Sequence, residues 1–131
     1  MTRTIMTEIG SGELVDKITI LEIKADRISD LEKLKNVKHE LAVLNAAFDA
    51  NLGGIEGLSD LAKQLKTINE TLWEIEDDIR TCEAQRDFGQ KFVDLARAVY
   101  ITNDKRAAVK KEINLLTGAN IIEEKSYKDF G

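Results

Sequence analysis

The sequence predicts an all-α fold, an antiparallel helical hairpin with one or two further N-terminal helices packed on it as a helical bundle. Three observations lead there. The 131 residues contain no proline, so the commonest helix breaker is absent throughout. Two long stretches in the second half repeat apolar residues at alternating spacings of three and four, which is the seam of a heptad helix. Three glycines within residues 52–57 mark one clear loop ahead of those stretches.

The first helix is expected over residues 12–28. Ser11 reads as its N-cap, and Glu13 places a negative charge in the first turn, where the helix dipole favours one. Leu14, Ile18, Leu21, Ala25 and Ile28 form the apolar stripe, but Val15, Ile20 and Ile23 fall outside it. A helix that is apolar on nearly every side is buried, either by its own chain or by a partner. The second helix, over residues 30–51, opens on Ser29-Asp30-Leu31-Glu32, which reads as a capping box, and carries Leu34, Val37, Leu41, Leu44, Phe48 and Leu52. The alternative is a single kinked helix across both segments.

The third helix, over residues 58–85, has the seam Leu58, Leu61, Leu65, Ile68, Leu72, Ile75, Ile79 and Cys82. After a polar link at residues 84–87, the fourth helix spans residues 88–117. Its seam is Phe88, Phe92, Leu95, Val99, Thr102, Arg106, Val109, Ile113 and Leu116, and Gly118 stands at the C-cap. So short a link forces the two helices to run antiparallel, each arm being about 40 Å long. The chain reads as one domain, residues 1–131, with a polar tail over residues 120–131. There Ile121, Ile122, Tyr127 and Phe130 sit among charges, to dock as an extended segment or stay loose.

Composition excludes several functions. A formal net charge of −5 and a pI near 5.0 repel a phosphate backbone, so no nucleic acid is expected as a partner. No apolar run approaches the roughly 18 residues that a bilayer span needs, so no membrane insertion is expected. The first twelve residues lack a signal-peptide core, and the single Cys82 cannot form an internal disulfide; both point to a cytoplasmic location. Cys82 itself reads as a small buried hydrophobe. With one histidine, His39, on ordinary helix surface, there is no material for a triad and no metal site is expected. No glycine-rich phosphate loop follows a strand, and no cofactor is expected.

Some polar positions are not accounted for by the architecture. Thr102 and Arg106 occupy seam positions, where an arginine must be paired or reach water. Asn103, Arg106, Lys110 and Asn114 share one helix face, and two cations flanked by two amides fit a carboxylate or phosphate. The plainer alternative is a solvated face from which Arg106 snorkels. In the first helix Glu13, Asp16, Lys17, Lys24 and Arg27 gather around Ile20. Glu13 and Lys17 form a favourable i, i+4 pair, whereas the others mark either a pocket edge or the charged rim of an oligomer interface. Trp73 lies beside the seam, next to the acidic Glu74, Glu76, Asp77 and Asp78. It reads as a packing anchor for the first or second helix, beside a solvated acidic face.

Two functions follow. The first is a non-catalytic module that forms a homo-oligomer or binds a protein partner. The second is a binder of, or enzyme acting on, a small anionic ligand such as a sugar nucleotide, phosphosugar or small carboxylate. Its candidate binding residues are Glu13, Asp16, Lys17, Arg27, Asn103, Arg106, Lys110 and Asn114, and no catalytic residue stands out. Arg106 discriminates between them. Facing a concave pocket beside Lys17 or Arg27, it favours the ligand; paired with Glu76 or Asp16 in a filled core, it favours the module.

Four segments together resemble the motifs of a family of small bacterial proteins of unknown function. They are the run from Gly12 to Leu21 (GELVDKITIL), Leu72-Trp73-Glu74-Ile75-Glu76-Asp77, Thr102-Asn103-Asp104-Lys105-Arg106 and Glu123-Glu124-Lys125-Ser126-Tyr127. The resemblance covers nearly the whole chain. It implies a link to sugar metabolism, because some members are encoded beside glycosyltransferase and surface-polysaccharide genes, and it implies no mechanism. Asp16, Lys17, Arg27, Arg106 and Lys110 are also similar to the charged set of the all-helical chorismate mutases, although their spacing departs from it. Glu13/Asp16 and Glu74/Asp77 resemble the paired acidic motifs of the all-α nucleotide pyrophosphohydrolases, but with too long a gap between them.

Overall fold

The structure is a computed structural model and describes residues 2–130. Four helices make up the all-α bundle: α1 (Ser11–Arg27), α2 (Leu31–Leu52), α3 (Leu58–Ala84) and α4 (Gln90–Thr117). The first two are separate helices, divided by extended backbone at Ile28 and Asp30.

The α1 helix is the central element. It packs on α2 at one side and on both arms of the α3–α4 hairpin at the other. Its apolar residues on several sides therefore have partners within the chain: Leu14, Val15, Ile18, Leu21 and Ile23 are all buried. Leu14, Val15 and Ile18 join Leu65 of α3 and Val109 and Ile113 of α4 in the main core, against which Leu41, Leu44 and Phe48 of α2 pack. Leu65 and Ile113 have no solvent exposure, and burying each such side chain contributes about 1.5–3 kcal/mol.

The helix ends depart from expectation at the starts of α1, α2 and α4, the last opening at Gln90 so that Phe88 lies ahead of it. Ser11 is the first residue inside α1 rather than its cap; Gly10 holds the cap position and offers no side chain. Asp30, not Ser29, caps α2 by accepting a hydrogen bond from the Lys33 N–H at 3.1 Å. Gly57 and Gly118 take left-handed backbone at the start of α3 and the end of α4, where a side chain would be strained.

The 17 residues of α1 cover only part of the 27- and 28-residue hairpin arms. Arg27, at the end of α1, meets Glu74, so the hairpin extends beyond that level towards its turn. There Phe88 and Phe92 stack edge to face with centroids 5.3 Å apart.

The C-terminal segment docks as an extended strap. From the end of α4 it runs back along that helix, placing Glu123 at Lys110 and Phe130 edge-on to Tyr100. The extended residues before α1 lie beside it, with Glu8 accepting from Asn120 at 3.1 Å. No helix among the described residues is long and apolar enough to cross a membrane.

Candidate functional site

A glycine sets the geometry of the site. A Cβ on Gly12 would fall inside contact distance of the Lys110 carbonyl oxygen, so only glycine lets the first turn of α1 close on α4. At that distance the Gly12 N–H donates to Asn114 Oδ1 at 2.7 Å. An α4 side chain thus caps a helix that has no cap of its own.

One turn further along α1, Asp16 is 1% exposed, and burying its carboxylate demands partners. Arg106 Nε donates to Oδ1 at 3.0 Å and Nη2 donates to Oδ2. Asn69 Nδ2, from α3, donates to Oδ1 at 2.9 Å and to Thr19 Oγ1 at 2.9 Å. Among the described residues no buried side-chain polar atom is left without a partner. The seam arginine is therefore paired, across the bundle, to a buried carboxylate.

Lys110 is the second cation. Its ammonium meets Glu13 at 2.6 Å, Glu123 of the strap at 3.1 Å and Asp16 at 3.8 Å. Three carboxylates thus converge on an ammonium, and no group of three or more metal-ligating side chains among the described residues has the geometry to hold a metal. Burial pushes Lys110 down, but the hydrogen bonds it donates to Glu13 and Glu123, with the charge of Asp16, outweigh it and hold the ammonium above its usual range. The hydrogen bonds that Arg106 donates to Asp16 likewise raise Arg106. Glu123 is lowered to about 2, first by Lys125, which lies 2.7 Å away, and then by Lys110.

Of the eight candidate residues, five converge: Glu13, Asp16, Arg106, Lys110 and Asn114. Asn103 lies one turn from Arg106 on the same face, and both line the same two grooves. Lys17 is turned outward with Glu13 at 3.7 Å. Arg27 is held by Glu74 at the far end of α1, about 16 Å along the helix from Asp16.

Sequence reasoning missed Asn69, Thr19, Glu123 and Lys125. Asn69 had a signal, since it follows the buried Leu65 by four residues and precedes Leu72 by three, which puts an amide on an inward face. Glu123 and Lys125 had none from periodicity, because an extended strap has no helical repeat.

Two grooves meet at Arg106 and Asn103. One, about 350 Å³, lies under the strap and is polar, with Lys110, Glu123, Lys125 and Tyr127 in its walls. The other, about 480 Å³, runs along α3 and α4, with Ile20, Ile23, Leu72, Trp73 and Val99 giving it an apolar lining. Trp73 thus faces a groove beside α1 rather than being sealed against it.

The model of DUF6165, a family of unknown function, matches residues 5–130, a span that takes in α1, the hairpin and the strap. The chain belongs to this family. No curated protein and no solved structure matches it. The family match therefore spans every residue of the charge cluster and assigns none of them a role.

Proposed function

We propose that the protein binds a small carboxylate- or phosphate-bearing metabolite at Arg106 and Lys110, with Asn103 as a neutral donor. Arg106 is paired with Asp16, and Lys17 and Arg27 lie away from it, as the module reading expects; but the pair is not sealed in a filled core, and what carries the ligand reading is how Arg106 is held at the edge of two grooves. Asp16 engages Nε and Nη2, and Nη1 donates to no acceptor among the described residues. The guanidinium is fixed in orientation by a buried carboxylate while 30% of its side chain remains exposed at two grooves. An arginine fixed in this way loses little freedom when a ligand oxyanion takes its remaining N–H groups.

The position of Glu123 supports the same chemistry. A carboxylate of the extended strap already rests on Lys110, with Lys125 of the strap beside it, which supports an anion at this place. A free phosphate or carboxylate is expected to take its place.

Thermal-shift titration with inorganic phosphate, pyrophosphate and small dicarboxylates at low salt tests the proposal. Binding at a hundredfold excess over Kd adds about 2.7 kcal/mol of apparent stability. The shift should shrink in Asn103→Ala and in Arg106→Lys, which keeps a charge beside Asp16. A chain whose melting temperature ignores every anion at low salt refutes the reading.

A second reading, self-association, is favoured by the hairpin beyond α1, where Phe88 and Val93 are both about half exposed. A homodimer joined there would shift in mass by light scattering when Val93→Glu is introduced.

A further inference from the structure

The two grooves share Arg106 and Asn103, and they differ in character on either side of those residues. A ligand whose anionic group sits on Arg106 therefore has a ready path for the rest of its body, along the apolar groove beside Trp73. What that body must be follows from the walls.

Trp73 is half-buried and lines the groove, with its indole N–H unbonded among the described residues. An indole lining the groove together with Ile20, Ile23 and Leu72 suits a flat ring. One turn further along α3 comes Asp77, on the same side of the helix as Trp73. Its neighbour Glu76 is engaged by Arg80 at 3.1 Å, but the Asp77 carboxylate accepts no hydrogen bond from a described residue. A carboxylate at the end of a stacking groove selects a ring carrying N–H donors, best two adjacent ones that it can accept together.

The separation also fits. Arg106 and Asn69 bond the same oxygen of Asp16, so they lie at one level of the bundle. Asp77 is eight residues beyond Asn69, about 12 Å along the axis of α3. That is comparable to the reach of an extended mononucleotide from its phosphate to the hydrogen-bonding edge of its base. Among the common bases, guanine presents two adjacent N–H donors on that edge, whereas adenine, cytosine and uracil each pair a donor with an acceptor.

We propose that this groove holds a guanine nucleotide, with its phosphate on Arg106 and Asn103, its base against Trp73 and the base's N–H edge on Asp77. The assignment rests on the anion-site reading above and specifies its ligand. The groove is about three helical turns long, from Asn69 to Arg80, and polar at both ends, dimensions that suit one nucleotide better than a partner helix.

Trp73 is the only tryptophan in the chain, so its fluorescence reports this groove alone. GMP titrated into the full-length protein should quench it saturably. Inorganic phosphate should leave the fluorescence unchanged while raising the apparent Kd for GMP. AMP and UMP should bind at least tenfold more weakly than GMP. Asp77→Asn, an exposed substitution that leaves the fold intact, should remove that preference and leave the phosphate-induced thermal shift in place. By calorimetry, Trp73→Phe should still bind GMP, more weakly, because a smaller ring remains.

The assignment is overturned if GMP neither quenches nor outbinds phosphate, or if AMP and UMP match GMP. In either case a phosphate-induced thermal shift that is reduced in Asn103→Ala keeps the anion site standing. Loss of that shift as well, in the parent protein, removes both readings together.

Discussion

Replacing Asp16 by asparagine tests whether the buried pair organises the bundle. The substitution keeps the shape and removes the charge. Asp16 now receives Arg106 Nε and Asn69 on Oδ1 and Arg106 Nη2 on Oδ2, at 1% exposure. An amide keeps the Oδ1 bonds only by aiming its own NH2 at Nη2, donor against donor; flipping it puts two donors against one. The guanidinium loses its paired carboxylate and keeps only the more distant Glu13 and Glu123, which Lys110 already engages. Breaking a buried ion pair costs about 3–5 kcal/mol, and the lower end applies because Arg106 is 30% exposed and reaches water. The expected loss is about 3 kcal/mol, or a melting temperature lower by about 10 °C for a domain of this size. Urea denaturation of parent, Asp16→Leu, Arg106→Met and the double variant completes the cycle. The double variant should fall within about 1.5 kcal/mol of the parent, since Asn69 keeps Thr19 as a partner and two apolar side chains replace the pair. An Asp16→Asn protein within about 0.5 kcal/mol of the parent, or a cycle without coupling, refutes the argument.

Three more outcomes follow from the same structure. Gly12→Ala should cost about 2–4 kcal/mol by denaturant titration, because the new Cβ meets the Lys110 carbonyl and the Asn114 bond at 2.7 Å must open; an unchanged midpoint would show that α1 does not approach α4 this closely. The strap should be acid-labile: Glu123 has its carboxyl lowered from 4.5 to about 2, first by Lys125 of the strap itself and then by Lys110 of α4, and the Lys110 part, which holds the strap, is complete above about pH 4.5 and lost as pH falls through about 2. Limited proteolysis within residues 120–130 should quicken with that loss, and Glu123→Gln should be cut faster than the parent already at neutral pH; equal cleavage rates in the two proteins would disprove the role. Leu65→Ala, at a position with no exposure, should cost about 2–5 kcal/mol and lower the midpoint of the whole cooperative transition rather than of one helix.

Much of the fold was legible because helices announce themselves locally. The seam from Leu58 to Cys82 and its continuation to Leu116 carried the hairpin, and the apolar residues on every side of α1 marked it for burial. The sequence could not say what would do the burying, since three helices of the same chain and a partner surface leave the same pattern. The caps were less legible. Ser11 and Ser29 both look like caps by residue type, but a cap is a backbone geometry, and Gly10 and Asp30 adopt it instead.

The candidate site divides along the same line. Arg106 stood out in the sequence as a charge where an apolar side chain belongs and Asp16 as one of five charges gathered around Ile20, while Asn103, Arg106, Lys110 and Asn114 stood out because a helical face follows from spacing alone. That Arg106 pairs with Asp16, ninety residues away, was decided by how α1 sits against α4. That seat depends on the missing side chain of Gly12, and its effect is visible only once two backbones meet. Lys17 and Arg27 share a helix with Asp16 and still fall outside the cluster, because packing, not periodicity, decides which charges are kept from water. Glu123 and Lys125 reach it along an extended strap whose course no repeat encodes. The sequence determined the helices and the faces they carry; the tertiary structure decided which faces meet, because long-range pairing depends on shape complementarity between segments that carry no local record of each other.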